Sequence, residues 1–124
     1  MQPYYQPVPS PPTPFKLSPA YKDPQIYKED APSSWALSIA DSKDIFIYGA
    51  GLYSFFKNYT QDCIDPRNCQ SQIADIDSKS KVQIFSLSTV AAAKMISVDG
   101  KGVVDQADNI NGFESTVTFW KSKK

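Results

Sequence analysis

The chain has 124 residues with 13 basic and 13 acidic side chains, a formal net charge of zero, two cysteines and no histidine. Neutrality gives no overall draw toward nucleic acid or a membrane surface, so neither partner is expected. The lack of histidine excludes Ser-His-Asp and Cys-His catalysis and histidine metal sites, and two cysteines are too few for a Cys-rich zinc site; no metal and no cofactor are expected.

Residues 1–32 form an expected extended arm. Eight of the ten prolines fall within the first 24 residues, which disfavours a helix or a central strand and favours a polyproline path. Tyr4, Tyr5, Phe15, Tyr21, Ile26 and Tyr27 are too apolar for an ordinary linker, so the arm is expected to pack on a neighbouring body. PSPPTP lacks the flanking basic residue that would direct it into a proline-recognition groove. The first residues show no basic start followed by an apolar run, hence no signal peptide. No stretch approaches the roughly 18 apolar residues of a membrane span.

Residues 33–124 read as β. Trp35-Ala36-Leu37-Ser38-Ile39 alternates, Asp41-Ser42-Lys43 turns, and Ile45-Phe46-Ile47-Tyr48 resumes the alternation. Because both faces of the second run are apolar, cover on both sides is expected for part of it. Gly49 and Gly51 mark a bulge, a bend or a close backbone approach. Leu52, Tyr53, Phe55 and Phe56 follow, with packing expected for the two phenylalanines. Asn58-Tyr59-Thr60 is a glycosylation acceptor sequence. Cys63 and Cys69 bracket CIDPRNC, which is compatible with a disulfide, two free thiols or half of a shared metal site; the disulfide is the reading adopted.

Further on, Ile73-Ala74-Asp75-Ile76, then Asp77-Ser78-Lys79, then Val82 to Leu87 repeat the earlier block, with one extra turn residue expected in the second copy. Two such blocks with no helix between them suit a stacked β-solenoid, although a meander or sandwich has similar local texture. Residues 90–98, VAAAKMISV, are expected to be a strand leading into an Asp99-Gly100 hairpin turn, with Lys101 to Val104 returning. Residues 105–112 read as a polar loop. Residues 113–120 read as the last strand, with Phe113, Ser115, Val117 and Phe119 on one side and Trp120 covering an end of the core.

Taken together, PYYQPVPSPPTPF, DIFIYGAGLYSFFKNY, QDCIDPRNCQSQI, KVQIFSLSTV and NGFESTVTFW resemble, in that order, the C-terminal end of fungal glycoside hydrolase family 55. These are secreted exo-β-1,3-glucanases of the pectate-lyase superfamily. The resemblance implies an all-β chain formed by the terminal turns of a right-handed parallel β-helix, preceded by the proline-rich arm. It also implies a first β-helix domain elsewhere in a longer extracellular parent, with a cleft for β-1,3-glucan between the two. Met1 would then not be the natural start.

Inverting glycoside hydrolysis uses two carboxyl groups about 6.5 to 9.5 Å apart. The two glutamates are Glu29, beside the arm, and Glu114, on the last strand; both suit solvated positions. Asp41, Asp44, Asp75, Asp77, Asp99 and Asp105 flank turns. No complete catalytic pair is evident, so hydrolysis by this chain alone is not expected. The general acid that the resemblance implies belongs either upstream or between the two glycines, where Ala50 stands. Tyr48 and Tyr53 are the candidate sugar contacts, with core packing as the competing role; Trp35 and Trp120 are assigned to the core or its ends. A non-enzymatic carbohydrate-binding or effector-like protein and a purely structural β-domain are the alternatives.

Overall fold

A computed structural model of the chain describes residues 35–55 and 60–123. The arm, Glu29, Phe56 and Asn58 lie outside the described residues. What is described is essentially all-β. The strands are β1 (Leu37–Ile39), β2 (Ile45–Tyr48), β3 (Gly51–Tyr53), β4 (Gln70–Gln72), β5 (Ala74–Ile76), β6 (Val82–Val90), β7 (Ala92–Val98), β8 (Lys101–Asp105), β9 (Ile110–Asn111) and β10 (Glu114–Lys121). They form two curled sheets of five strands. One is ordered β1-β5-β7-β4 with β8 beside β7, and the other β2-β6-β10-β9 with β3 beside β6.

The chain alternates between the sheets, and its first two passes lie parallel at one spacing. Leu37 pairs with Ala74, Ile45 with Val82 and Gly51 with Ser88, each 37 positions further on. The two similar blocks of sequence are therefore stacked. Five residues join each pair of strands, 40–44 and 77–81, so the extra turn residue expected in the second copy is absent. Its Asp-Ser-Lys triplet begins one position earlier instead.

Side chains tie the turns together. The Asp41 amide donates to Asp77 Oδ2 (2.8 Å), the Ser42 amide to Ser80 Oγ (3.0 Å) and the Ser78 amide to Asp99 Oδ1 (2.9 Å). Each of the two carboxylates caps a backbone N–H of the turn before it, a charge-assisted bond stronger than a neutral one. The hydrogen bond from the Ser80 hydroxyl holds the Asp77 carboxyl below its ordinary range, and hydrogen bonds from Ser78 do so for Asp99. Asp75 moves the opposite way, raised first by burial, although it accepts the Gly100 amide at 2.9 Å.

The core lies between the sheets. Ile76, Val82, Ile84, Leu87, Met95 and Ile96 are buried there, with Ile39, Ile45, Ile47, Ala50, Leu52, Val104, Val117 and Trp120 packed around them. One bend crosses three strands. Inward residues skip from Ile47 to Ala50 and from Ile84 to Leu87, with Gly49 (φ +67°) and Ser86 (φ +56°) between them in the left-handed region. β10 changes phase at the same level. Val117 opposite Leu87 packs inward, Phe119 opposite Phe85 is exposed, and Trp120 opposite Ile84 covers the core. The expected single face from Phe113 to Phe119 therefore breaks at Thr118. A left-handed residue inside a strand shifts the side-chain phase by one position, as at a bulge.

The cover expected on both sides of β2 is also not found: Phe46 is 51% exposed and Tyr48 71%. Alternation shows which side chains share a face but not whether a second layer lies over it. Asp99 (φ +49°) and Gly100 (φ +74°) make the expected hairpin turn between β7 and β8. The expected polar loop holds a 3-10 turn, Ala107–Asn109, and the short β9. Cys63 and Cys69 are joined by a disulfide, and both pack with Val90, Ala91, Phe55 and Ile64 in a second small cluster.

Two tests follow from this packing. A Cβ built at Gly49 meets no atom within 4 Å, so Gly49→Ala carries only the left-handed backbone penalty, about 1 kcal/mol, measured by urea unfolding. The second concerns pH. Asp77 and Asp99 stabilise fully above the unfolded carboxyl value of about 3.9, and that contribution is lost as pH falls through their lowered folded values. Asp75 has a raised folded value, so its contribution falls as pH rises from the unfolded value through the folded one. Thermal melts should show stability rising as pH drops from 7 toward about 4, then falling below it. Asp75→Asn, which keeps an acceptor for Gly100, should remove the rise, and Asp77→Ala should weaken the later fall.

Candidate functional site

With Ile45 and Ile47 facing the core, β2 must turn Phe46 and Tyr48 outward. Register then places Tyr48 opposite Phe85, and Phe85 opposite Phe119. The Tyr48 and Phe85 rings are stacked, 4.8 Å apart at 7°, and Phe85 meets Phe119 at 4.9 Å and 39°. These distances match the spacing of neighbouring strands, so the rings form a ladder across three strands on the outer face of the sheet. Tyr48 is 71% and Phe119 50% exposed. The next row holds Phe46, Gln83 and Lys121.

Beyond the bend the face changes character. Gly51, Ser88 and Thr116 align across the same strands and present small side chains. The Tyr53 ring folds back over Gly51, where an added Cβ would lie 2.7 Å from the phenol oxygen. The Tyr53 hydroxyl donates to Glu114 Oε1 at 3.3 Å. One sheet face thus carries an aromatic ladder, a row of small residues, and a phenol beside a carboxylate. Rings offer apolar faces to the C–H faces of a sugar, and the phenol and carboxylate can hydrogen-bond its hydroxyls.

Of the residues singled out by sequence, Tyr48 and Tyr53 lie on this face with Glu114. Ala50 does not: it packs against the core, and its carbonyl accepts the Ser88 amide at 2.8 Å. Asp41, Asp77 and Asp99 belong to the stacked turns, Asp75 holds the hairpin, and Asp105 is paired with Lys94 at 2.6 Å. Phe55 packs beside the disulfide. Phe85 and Phe119 were not among the candidate sugar contacts. Their only signal was aromatic type within strands, and their alignment depends on cross-strand register.

A concavity beside the disulfide is lined by Ile64, Asp65, Arg67, Val90, Ala91 and Phe113. There Arg67 Nη2 donates to the Gly112 carbonyl at 3.0 Å. Among the described residues no group of three carboxylates or thiolates is arranged to hold a metal, and no helix is long and apolar enough to cross a membrane.

No protein-family model matches the chain. It is homologous over most of its length to fungal glucan 1,3-beta-glucosidase-like proteins. It is 37% identical over 123 residues to a glucan 1,3-beta-glucosidase of Cochliobolus carbonum, covering 94% of this chain and 16% of that protein. It is 36% identical over 121 residues to a probable glucan endo-1,3-beta-glucosidase of Arthroderma benhamiae, covering 95% of this chain and 14% of the relative. A Penicillium expansum protein named non-secreted LysM effector LysM15 shares 32% identity over 123 residues, 95% of this chain and 8% of that protein. The chain therefore spans between 8% and 16% of the length of these relatives.

The Gly51 contact gives a direct test of the site geometry. Gly51→Ala should push the Tyr53 ring aside, because the colliding atoms are the end of a movable side chain. Nuclear Overhauser contacts between the Tyr53 ring and the Gly51 Hα should be present in the native chain. The corresponding contacts at residue 51 should weaken in the variant, with unfolding free energy changing by about 1 kcal/mol or less.

Proposed function

We propose that this chain is part of a secreted exo-β-1,3-glucanase-like glycoside hydrolase, in which it forms terminal turns of a right-handed parallel β-helix and part of the glucan-binding surface. The observation that carries the binding role is the exposed ladder of Tyr48, Phe85 and Phe119, continued past the bend by Tyr53 and Glu114. Two relatives named for action on 1,3-beta-glucans support the substrate class. Parallel stacking at one spacing supports the helical coil. On this reading the glucan meets Tyr48 and Tyr53, the first β-helix domain belongs to the longer parent, and the general acid lies upstream rather than at Ala50.

The Cys63–Cys69 disulfide supports an extracellular parent, since such bonds persist in oxidising compartments. The name of the Penicillium relative points the other way on secretion. That relative also favours a second reading, a non-enzymatic carbohydrate-binding protein, because it is named an effector.

Calorimetric titration with laminarin separates these readings from a purely structural role. The chain should bind, and Tyr48→Ala or Phe119→Ala should each weaken binding by about 5- to 10-fold through loss of one ring contact worth about 1 kcal/mol. Absence of binding, or unchanged affinity in both variants, would overturn the glucan role. Release of glucose by the chain would show that a catalytic pair is present after all.

A further inference from the structure

The sheet face that carries the ladder meets the disulfide loop beyond Tyr53. Register sets Val90 beside Tyr53, and paired positions on parallel strands project from the same face. Val90 is nevertheless only 3% exposed, because Cys63, Cys69, Phe55 and Ile64 pack with it. The loop therefore stands on the ladder face, at the end of β6 away from Tyr48. The concavity lies between this loop, which supplies Asp65 and Arg67, and the β9–β10 turn, which supplies Phe113.

The loop is fixed from several directions. The disulfide closes it, and the Arg67 and Asn68 amides donate to the Ile64 and Cys63 carbonyls at 2.9 Å each. With its side-chain amide turned to satisfy both neighbours, Gln106 donates to the Arg67 and Ala92 carbonyls at 3.2 and 3.1 Å. Arg67 is held in the left-handed region, at φ +56°. Such a backbone is costly for a residue with a side chain and persists where its surroundings fix it. The guanidinium so placed is half used. Nη2 donates to the Gly112 carbonyl at 3.0 Å, while Nη1 is buried with no hydrogen-bond partner among the described residues. Asp65 is exposed, and no ion pair joins it to Arg67. An unpaired donor on a desolvated cation is unfavourable, so an acceptor arriving in the concavity would be stabilised. Phe113, 63% exposed, adds an apolar ring.

We propose that this concavity is a further saccharide subsite, taking one neutral pyranose unit of a β-glucan. Phe113 would lie against a C–H face of the sugar, Arg67 would donate to one hydroxyl oxygen, and Asp65 would accept from another hydroxyl. The pairing of one cation with one carboxylate selects a neutral ligand, because an acidic sugar would meet Asp65 and a cation would meet Arg67. Glu114, bonded to Tyr53, directly follows Phe113, so the subsite continues the face described above. The assignment deepens the glucan reading and rests on it for the identity of the sugar.

Titration of the chain with laminaribiose, a neutral β-1,3-linked disaccharide, followed by amide chemical shifts, tests it. The Arg67, Ala91 and Phe113 amides should shift and saturate. Phe113→Ala and Asp65→Ala should each raise the Kd read from those shifts by about 5-fold or more. Both side chains are exposed, so the melting temperature should hold; if Phe113→Ala lowers it, Phe113→Leu, which keeps apolar volume without the flat ring, should give the same loss of affinity. No shift at the three amides, or an unchanged Kd in these variants, would overturn the subsite. So would nuclear Overhauser contacts from residues 1–34 or 56–59 to the Phe113 ring in the sugar-free chain, because the chain itself would then be the occupant. Shifts confined to Tyr48, Phe85 and Phe119 would sustain the ladder and overturn the subsite, and shifts confined to the concavity would do the reverse, so the two failures are distinguishable.

Discussion

The parallel register between the first and second passes is the constraint on which the other features depend. Because Leu37, Ile45 and Gly51 meet partners 37 positions further on, any local property of one pass lies beside its counterpart in the next. Ile47 lies over Ile84, Gly49 is level with the bend at Ser86, and the Asp77 turn lies under the Asp41 turn. A slip of one residue would exchange the faces of β2, burying Phe46 and Tyr48 and exposing Ile45 and Ile47. The register is held from both sides, by apolar burial between the sheets and by carboxylates at the turns.

Much of this was legible in the sequence where the signal is local. Alternation in 45–48, the Asp99-Gly100 hairpin and the glycine bend at Gly49 each follow from a few adjacent residues. What could not be read is set between strands. β10 contains no glycine and nothing that marks Thr118 as a turning point; its phase changes because it must follow the bend that Gly49 and Ser86 impose on its neighbours. For the same reason Phe119 lies on the opposite face from Val117, with which the alternation groups it. The buried Thr89 and Ser115 hydroxyls are a further case, since these residues pair across β6 and β10 and the hydroxyls have no hydrogen-bond partner among the described residues.

The bend also divides the candidate site. Before it, side chains on the outer face are large and flat; after it, Gly51, Ser88 and Thr116 leave the backbone surface low. Tyr53 uses that low ground to reach Glu114, and only glycine at position 51 permits its ring to lie there. A polymer lying along the strands would meet apolar ring faces first and hydrogen-bonding groups next, an order that suits sugars, which present both kinds of surface.

Sheet stability alone gives a weaker account of the ladder. Cross-strand aromatic pairs contribute roughly 0.2–1 kcal/mol each, and β-branched side chains at the same positions would stabilise a sheet comparably while exposing less apolar area. Phe85, in the middle, is half-buried by its neighbours and fits the structural explanation. Tyr48 and Phe119, at the flanks, leave most or half of their surface in solvent. On the proposed glucan-binding role, that exposed apolar surface is where the sugar would lie. The flanking rings therefore separate the two accounts, because their outer surfaces do nothing for the fold that smaller side chains would not also do.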